Sequence, residues 1–381
     1  MRSTFAVSVV AAIHYGEDGS ITVRTDAVDF GNGSSTTLSV VVGPILGANA
    51  KEVVTGDYTL FPQTGLTPSS TPDWDNPWST ATGVGSSSAC LTAFHQVHVV
   101  QETARAYMQS AVLPAARLLW NRPQIVYDDL AWVEGRLTAK AAGVSPLTHD
   151  RLAQAIYSRN LPSGALGHAF FQGSWVTGRY AVDGSPVTLE LNGLTLYFSA
   201  NGDRKRIDRT DTVKPLQSAS RCSRTVWSPC ANIVALMVDK LTGAVRIENI
   251  ISILNAGHVH VPELVSGQSQ GGVAMAIGYT LLEDMPGGIA GPASGAWNLN
   301  RYHVPRLADV PHRSRYERGQ RAQELIILPE TSEDSGRGRG IAEAVMCSIA
   351  PAISNALRDA LGVRYSSLPI TPAKILAGLR Q

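Results

Sequence analysis

Gly336-Arg337-Gly338-Arg339-Gly340-Ile341-Ala342-Glu343 is a glycine-rich turn that runs straight into an apolar stretch with helical spacing, predicting a helix over 341–361. Such a turn delivers the chain to a helix N-terminus, where unpaired N–H groups and the positive end of the helix dipole favour an anion. Two earlier segments have the same design. Asp29-Phe30-Gly31-Asn32-Gly33 ends a strand, and Ser34 to Thr37 can then cap a helix running toward Leu46. Gly83-Val84-Gly85-Ser86-Ser87-Ser88 opens onto the pattern Leu91, Phe94, Val97, Val100, Tyr107, a helix to about Leu119. Ordinary capping accounts for any one of these turns. Three in one chain suit a large cofactor whose pyrophosphate and ring heteroatoms need backbone donors from several segments.

Working outward, Phe5 to Ala12 and Ser20 to Asp29 read as a hairpin about Gly16–Gly19, with Ile21, Val23, Thr25 and Ala27 on one face. Met1-Arg2 and the apolar run after it imitate a signal peptide, but the run is short and continues as a strand, so the reading frame looks as though it begins inside a fold. Pro62 to Gly85 is too poor in aliphatic periodicity for a regular element and reads as a functional loop. From about Ala169 to Ile253 the chain is strand-rich, most clearly in the hairpin Ile233–Val238, Lys240–Gly243, Val245–Ile253. Glu263 to Asp284 reads as a helix carrying Gly271, Gly272 and Gly278, which suggest close approach of a backbone or ligand. Gly287 to Asp334 reads mostly as loop, and Thr371-Pro372 starts a last helix. The fold class is therefore α+β, with mixed sheets and packed helices. One large domain over 1–381 is expected, with a sub-division into 1–165 and 166–381 as the option.

Composition narrows the partners. Lys and Arg (32) nearly cancel Asp and Glu (31), so no global field favours nucleic acid or an anionic membrane. No apolar run is long enough to span a bilayer, so membrane insertion is not expected. Cys90, Cys222, Cys230 and Cys347 are scattered without a CxxC pair, which argues against structural zinc or a disulfide framework and leaves buried thiols as the default. The pairs His95/His98 and His258/His260 lack a third ligand at a diagnostic distance and read as packing or surface residues. Gly267-Gln268-Ser269-Gln270-Gly271 formally matches a serine hydrolase elbow. The surrounding apolar spacing is already helical, whereas an elbow needs a strand before its serine, so a hydrolase is a remote alternative. Walker A and βαβ dinucleotide fingerprints are missing.

Taken in order, the segments resemble the molybdenum subunit of the xanthine dehydrogenase and aldehyde oxidase family. Asp29 to Thr36 is similar to its D-x-G-Q-G-x-x-T loop, with Asn32 in place of glutamine. Gly85-Ser86-Ser87-Ser88-Ala89 is similar to its small-residue turn before a long helix. Gly267 to Gly272 resembles its G-Q-x-x-G-G helix, and Arg339-Gly340-Ile341-Ala342-Glu343, Ala350 to Ala356 and Leu368 to Pro372 resemble its K-G-x-G-E, A-P-A-I-x-N-A-I and L-P-I-T-P run. Ala342 and Ala344 depart from the usual glycine and proline.

The resemblance implies the fold of that family's second molybdopterin-binding domain. It implies hydroxylation of an aldehyde or N-heterocycle with water-derived oxygen, on molybdenum-molybdopterin either bare or as a cytosine dinucleotide. Glu343 would be the base, and Gly31, Asn32, Gly33, Ser34, Gly85, Ser86, Ser87, Ser88, Gln268, Arg339, Gly340, Ile341 and Ala342 would hold the cofactor. The base chemistry asks for a carboxylate in an apolar, dry pocket. The metal would be carried by the pterin dithiolene, with no protein ligand. The family's front motifs and iron–sulfur cysteine spacings are missing, so the implied partners are a front-half molybdenum domain, an iron–sulfur subunit and an FAD subunit. A truncated, inactive cofactor-binding or assembly module is the alternative. The implied compartment is the cytoplasm, or the periplasm after export with a partner.

Overall fold

Residues 2–3, 7–83, 87, 92–140, 143–199, 203–215, 224–226, 228–284, 302–311, 322–331, 336–341 and 343–380 are described by the computed structural model. They form two compact units, Arg2–Val226 and Trp227–Gln381. The option of a seam at 165/166 is corrected by the strand Gly164–Gln172, which carries ladder bonds on both sides, so a cut there would split a sheet.

In the first unit β1 (Val7–Tyr15) and β2 (Ile21–Thr25) make the expected hairpin, with Ala11 opposite Thr25 and Tyr15 opposite Ile21. Ile21, Val23, Thr25 and Ala27 are all buried, as the two-residue alternation predicts. β1 is buried almost throughout because it lies mid-sheet. β3 (Glu52–Val54) pairs parallel to β2, while β4 (Gly164–Gln172), β5 (Gly193–Phe198) and β6 (Asp203–Ile207) extend the other side. The order is β6-β5-β4-β1-β2-β3, and the two-residue strand Ser174–Trp175 folds back on β4 as the seventh member.

The single helix expected from Leu91 to Leu119 is a composite. A π turn, Thr92–Gln96, leads into α2 (Val97–Tyr107), and a second, Met108–Val112, leads into α3 (Leu113–Trp120). The second stands just ahead of Pro114, which has no N–H to give the preceding turn. α2 lies directly on β4: a Cβ at Gly167 would sit 2.2 Å from Thr103 Oγ1 and 3.2 Å from a Leu191 methyl, so only glycine admits the helix. Val99, Val100, Ala104 and Tyr107 share that core with Ala11, Ile13, Ala165 and Ala169. Ahead of this helix, α1 (Ser34–Val40) and, after a turn at Val41-Val42, the four-residue helix Gly43–Leu46 carry the chain to Leu46. The stretch read as one loop contains the paired strands Thr67–Ser69 and Ser79–Ala81.

In the second unit β7 (Cys230–Val238) and β8 (Val245–Leu254) are the predicted hairpin, from Val238 opposite Val245 to Cys230 opposite Leu254. β9 (Gln323–Ile327) pairs parallel to β8, a strand inside a region expected to be loop. One face of this mixed sheet packs on α4 (Pro262–Ile277) and α5 (Glu343–Leu361). Val345, Ile349, Ile353 and Leu357 recur every four residues and meet Ile247, Ile250 and Leu254 of β8. α6 (Pro372–Leu379) begins as read, with the Thr371 hydroxyl accepting from the Lys374 N–H at 3.4 Å and Pro372 in the first turn. Mixed sheets with packed helices make both units α+β. Among the described residues no helix is long and apolar enough to cross a membrane.

Candidate functional site

The first glycine turn is held by side chains rather than by the helix that follows it. Asp29 accepts from the Gly31 N–H at 2.9 Å and from the Ser35 N–H at 2.8 Å, and Asn32 Oδ1 accepts from the Ser34 N–H at 3.1 Å and from the Ser34 hydroxyl. Burial pushes the Asp29 carboxyl up, but the amides of Ser35 and Gly31 outweigh it and hold the group below the usual carboxylate range. Capping by Ser34 to Thr37 is thereby corrected: Gly33, at φ 78°, makes the turn with no side-chain cap of its own, and Asp29 and Asn32 occupy the first-turn amides. Gly31, at φ 95°, faces open space where a Cβ would stand.

The second turn meets the first. The Val28 N–H donates to Ser87 Oγ at 2.8 Å, one residue ahead of the Asp29 loop. Behind this contact is a polar knot that sequence reasoning missed. Asp26 Oδ1 accepts from the Gln96 side-chain amide at 2.8 Å and from the Val10 N–H at 3.2 Å, and Gln96 Oε1 accepts from the Thr25 hydroxyl at 2.7 Å. Gln96 closes the π turn Thr92–Gln96, while Asp26 follows directly on the strand leading into the first glycine turn. π turns cluster at functional sites, but their hydrogen-bond shift leaves no mark in residue spacing. Gly85, Ser86 and Ser88 lie outside the described residues, as does Ala342.

Burial raises the Asp26 carboxyl above its ordinary value, and the bonds from Gln96 and Val10 only partly oppose that. With the folded value raised, the stabilising contribution is complete below the unfolded pKa and is lost as pH rises through the folded one. Asp26→Asn keeps an oxygen acceptor and removes the ionisation. Its stability relative to the natural chain is expected to improve as pH rises above the ordinary carboxylate value of about 4 in denaturant titrations. A difference that stays flat there counts against a penalised carboxylate.

In the second unit the third turn has Gly336 at φ 73° with open space about it, and the turn is stitched to the end of β8. Arg339 N–H donates to the Ala256 carbonyl at 2.7 Å, His258 N–H to the Arg337 carbonyl at 3.1 Å, and Gly257 bridges Gly338. The chain then passes Gly340 and Ile341 to Glu343, the first residue of α5, whose carboxylate is exposed. Among the described residues, therefore, no apolar pocket encloses Glu343.

Gln268 lies on the outer face of α4, partly exposed and next to exposed Gly267; the Gly271 position there opens to space, so no backbone approaches it, contrary to expectation. At Gly278 another segment does approach, since a Cβ there would stand 2.4 Å from Pro305. A cavity of about 970 Å³ runs along the flank of α4, lined by Ser266, Gln270, Gly271, Arg306 and Gln323, and Gln268 is not in its wall.

The hydrolase elbow is excluded by position: Ser269 is buried in mid-helix, with its hydroxyl donating to the Val265 carbonyl at 2.8 Å. His95 and His98 are packing residues, the first among Phe94, Phe171 and Trp175 and the second stacked on Trp175 at 3.7 Å. Cys230 is half-buried beside Ser348, whereas Cys347 is exposed, contrary to the default of buried thiols; Cys90 and Cys222 lie outside the described residues. Among the described residues no three His, Cys, Asp or Glu side chains converge to hold a metal.

A family model for the molybdopterin cofactor-binding domain matches residues 76–311. The xanthine dehydrogenase molybdenum-binding subunit of Escherichia coli O157:H7 is 32% identical over 173 residues, 42% of this chain and 21% of that protein. The aldehyde oxidoreductase molybdenum-binding subunit PaoC of Escherichia coli (strain K12) is 29% identical over 147 residues, 38% of this chain and 19% of its own length. This chain thus spans about a fifth of the length of the curated relatives it matches. Among solved structures, the Cu,Mo-CO dehydrogenase aligns with 99% of this chain and 38% of its own at a TM-score of 0.62 and 16% identity. The aldehyde oxidoreductase from Desulfovibrio gigas aligns with all of this chain at 0.54 and 17% identity, using 31% of its own. At such identities these likenesses speak for the fold.

Proposed function

Because this chain belongs to the molybdopterin cofactor-binding domain family, we propose that it is the back part of the molybdenum-binding subunit of a hydroxylase that oxidises aldehydes or N-heterocycles. The observation that carries this reading is the placement of Glu343 at the first turn of α5, directly behind a glycine turn strapped to a neighbouring strand end.

The residues present suit the cofactor. Gly31, in the first unit, and Gly336, in the second, each take positive φ with nothing where a Cβ would stand, so a ligand can reach either backbone. Asn32 spends its oxygen on Ser34 and keeps its NH2 group for a ligand. Ser87 sits beside that loop, and Gln268 and Arg339 belong to the second unit's helix and turn. When bound, molybdenum-molybdopterin supplies the two-electron acceptor. Glu343 takes the proton released as water-derived oxygen reaches the substrate carbon, a role worth about 10²–10⁴ in rate. That role needs a carboxylate shielded from water, and Glu343 is exposed here, so the family's front half, on this protein or on a partner, closes the pocket. The cytosine dinucleotide form of the cofactor, iron–sulfur and FAD subunits that remove the electrons, and a cytoplasmic or partner-exported complex complete the reading.

The test is expression of the chain with the coding sequences that flank it, followed by metal analysis and dye-linked aldehyde and purine oxidation assays. Stoichiometric molybdenum with turnover is expected. A metal-free monomer that associates with none of those products would instead make it a truncated module.

A further inference from the structure

His258 and Glu330 were not needed for the proposed chemistry, yet they sit against the turn that presents Glu343. Glu330 Oε2 meets His258 Nδ1 at 2.8 Å, and its other oxygen accepts from the Gly336 N–H at 3.0 Å. The His258 N–H, in turn, donates to the Arg337 carbonyl. A single carboxylate therefore ties the segment after β8 to the first residue of the glycine turn, with the Gly257–Gly338 bridge between them. Gly257 is set in place by Asn255 Oδ1, which accepts its N–H at 3.1 Å.

We propose that His258 and Glu330 are positioning residues, a latch that holds the Gly336–Ile341 turn in register and so sets where Glu343 and Arg339 stand. The proposal rests on the reading of Glu343 as base. The same segment leads from β8 into α4, so the latch also ties the turn before Glu343 to the helix that carries Gln268. Three features favour a latch over an incidental surface pair. The carboxylate has two partners on different segments, one a side chain and the other a backbone N–H. His258 also bonds through its main chain, so ring and backbone report one geometry. His260, 4.7 Å from the His258 ring, is pushed down to about 4 by burial, with His258 adding to the effect, and stays uncharged near neutral pH beside the pair.

The test is hydrogen exchange on the full chain without cofactor, comparing Glu330→Ala, Glu330→Gln and His258→Ala. Amides of 336–341 in Glu330→Ala are expected to exchange roughly tenfold faster or more, with protection in the β7–β8 hairpin unchanged. Glu330→Gln keeps an oxygen for the Gly336 N–H and restores part of the protection. In the assembled complex Glu330→Ala is expected to lower kcat at unchanged molybdenum content. Unchanged exchange at 336–341, uniform loosening that includes the hairpin, or a loosened turn with full kcat would each overturn the latch. The exchange arm requires no molybdenum, so a complex that fails to load metal fails the functional reading separately.

Discussion

Glu343→Gln in the assembled complex lowers kcat by about 10²–10⁴-fold while molybdenum content stays at the natural level. The substitution is nearly isosteric and removes the capacity to take a proton together with the negative charge. It sits on an exposed side chain at the first turn of α5, outside the packed row Val345, Ile349, Ile353 and Leu357, so the helix keeps its core. A carboxylate there also favours the helix dipole, an effect of about 0.3–1 kcal/mol that glutamine forfeits. The two roles separate cleanly: a capping role shows as a small stability change with turnover intact, a base role as lost turnover with stability nearly intact. Steady-state kinetics beside metal analysis on the same preparation decides between them.

Phe171→Ala costs the first unit about 3–5 kcal/mol and lowers cofactor content with it. The ring is buried at the end of β4, 5.3 Å from Phe94, 5.4 Å from His95 and 4.9 Å from Trp175. Phe94 and His95 belong to the π turn that also carries Gln96, and Gln96 grips Asp26 beside the first glycine turn. A cavity under that turn therefore loosens the loops thought to hold the pterin as well as the core. Urea denaturation measures the first effect and metal analysis the second. A loss under about 1 kcal/mol with normal loading would show that the aromatic cluster does not support the site.

What was legible in the sequence follows physical lines. The β7–β8 hairpin and the start of α6 declare themselves because alternation, a turn and a Thr-Pro cap all lie within one short window. β9 does not, being five residues long in a Pro- and Arg-rich stretch, with a parallel partner some seventy residues earlier. The seam between the units escaped for a similar reason: Gly164–Gln172 pairs with strands on both sides of it in sequence, and nothing local marks it as a sheet centre. At the site, the first and third glycine turns were readable as turns, but not which groups occupy their amides. Asp29 and Asn32 turn inward to satisfy the start of α1, a choice made by local geometry. The knot of Thr25, Asp26 and Gln96 and the pair His258–Glu330 join residues about seventy positions apart, beyond the reach of any periodicity.

The most direct measurement is anomalous diffraction at the molybdenum edge from crystals of the loaded complex. A single strong peak beside the Glu343 carboxylate, with Asn32 and Ser87 on the ligand that carries it, is the predicted result. A peak remote from Glu343, or Asn32 and Ser87 facing a different cavity from it, would contradict the assignment.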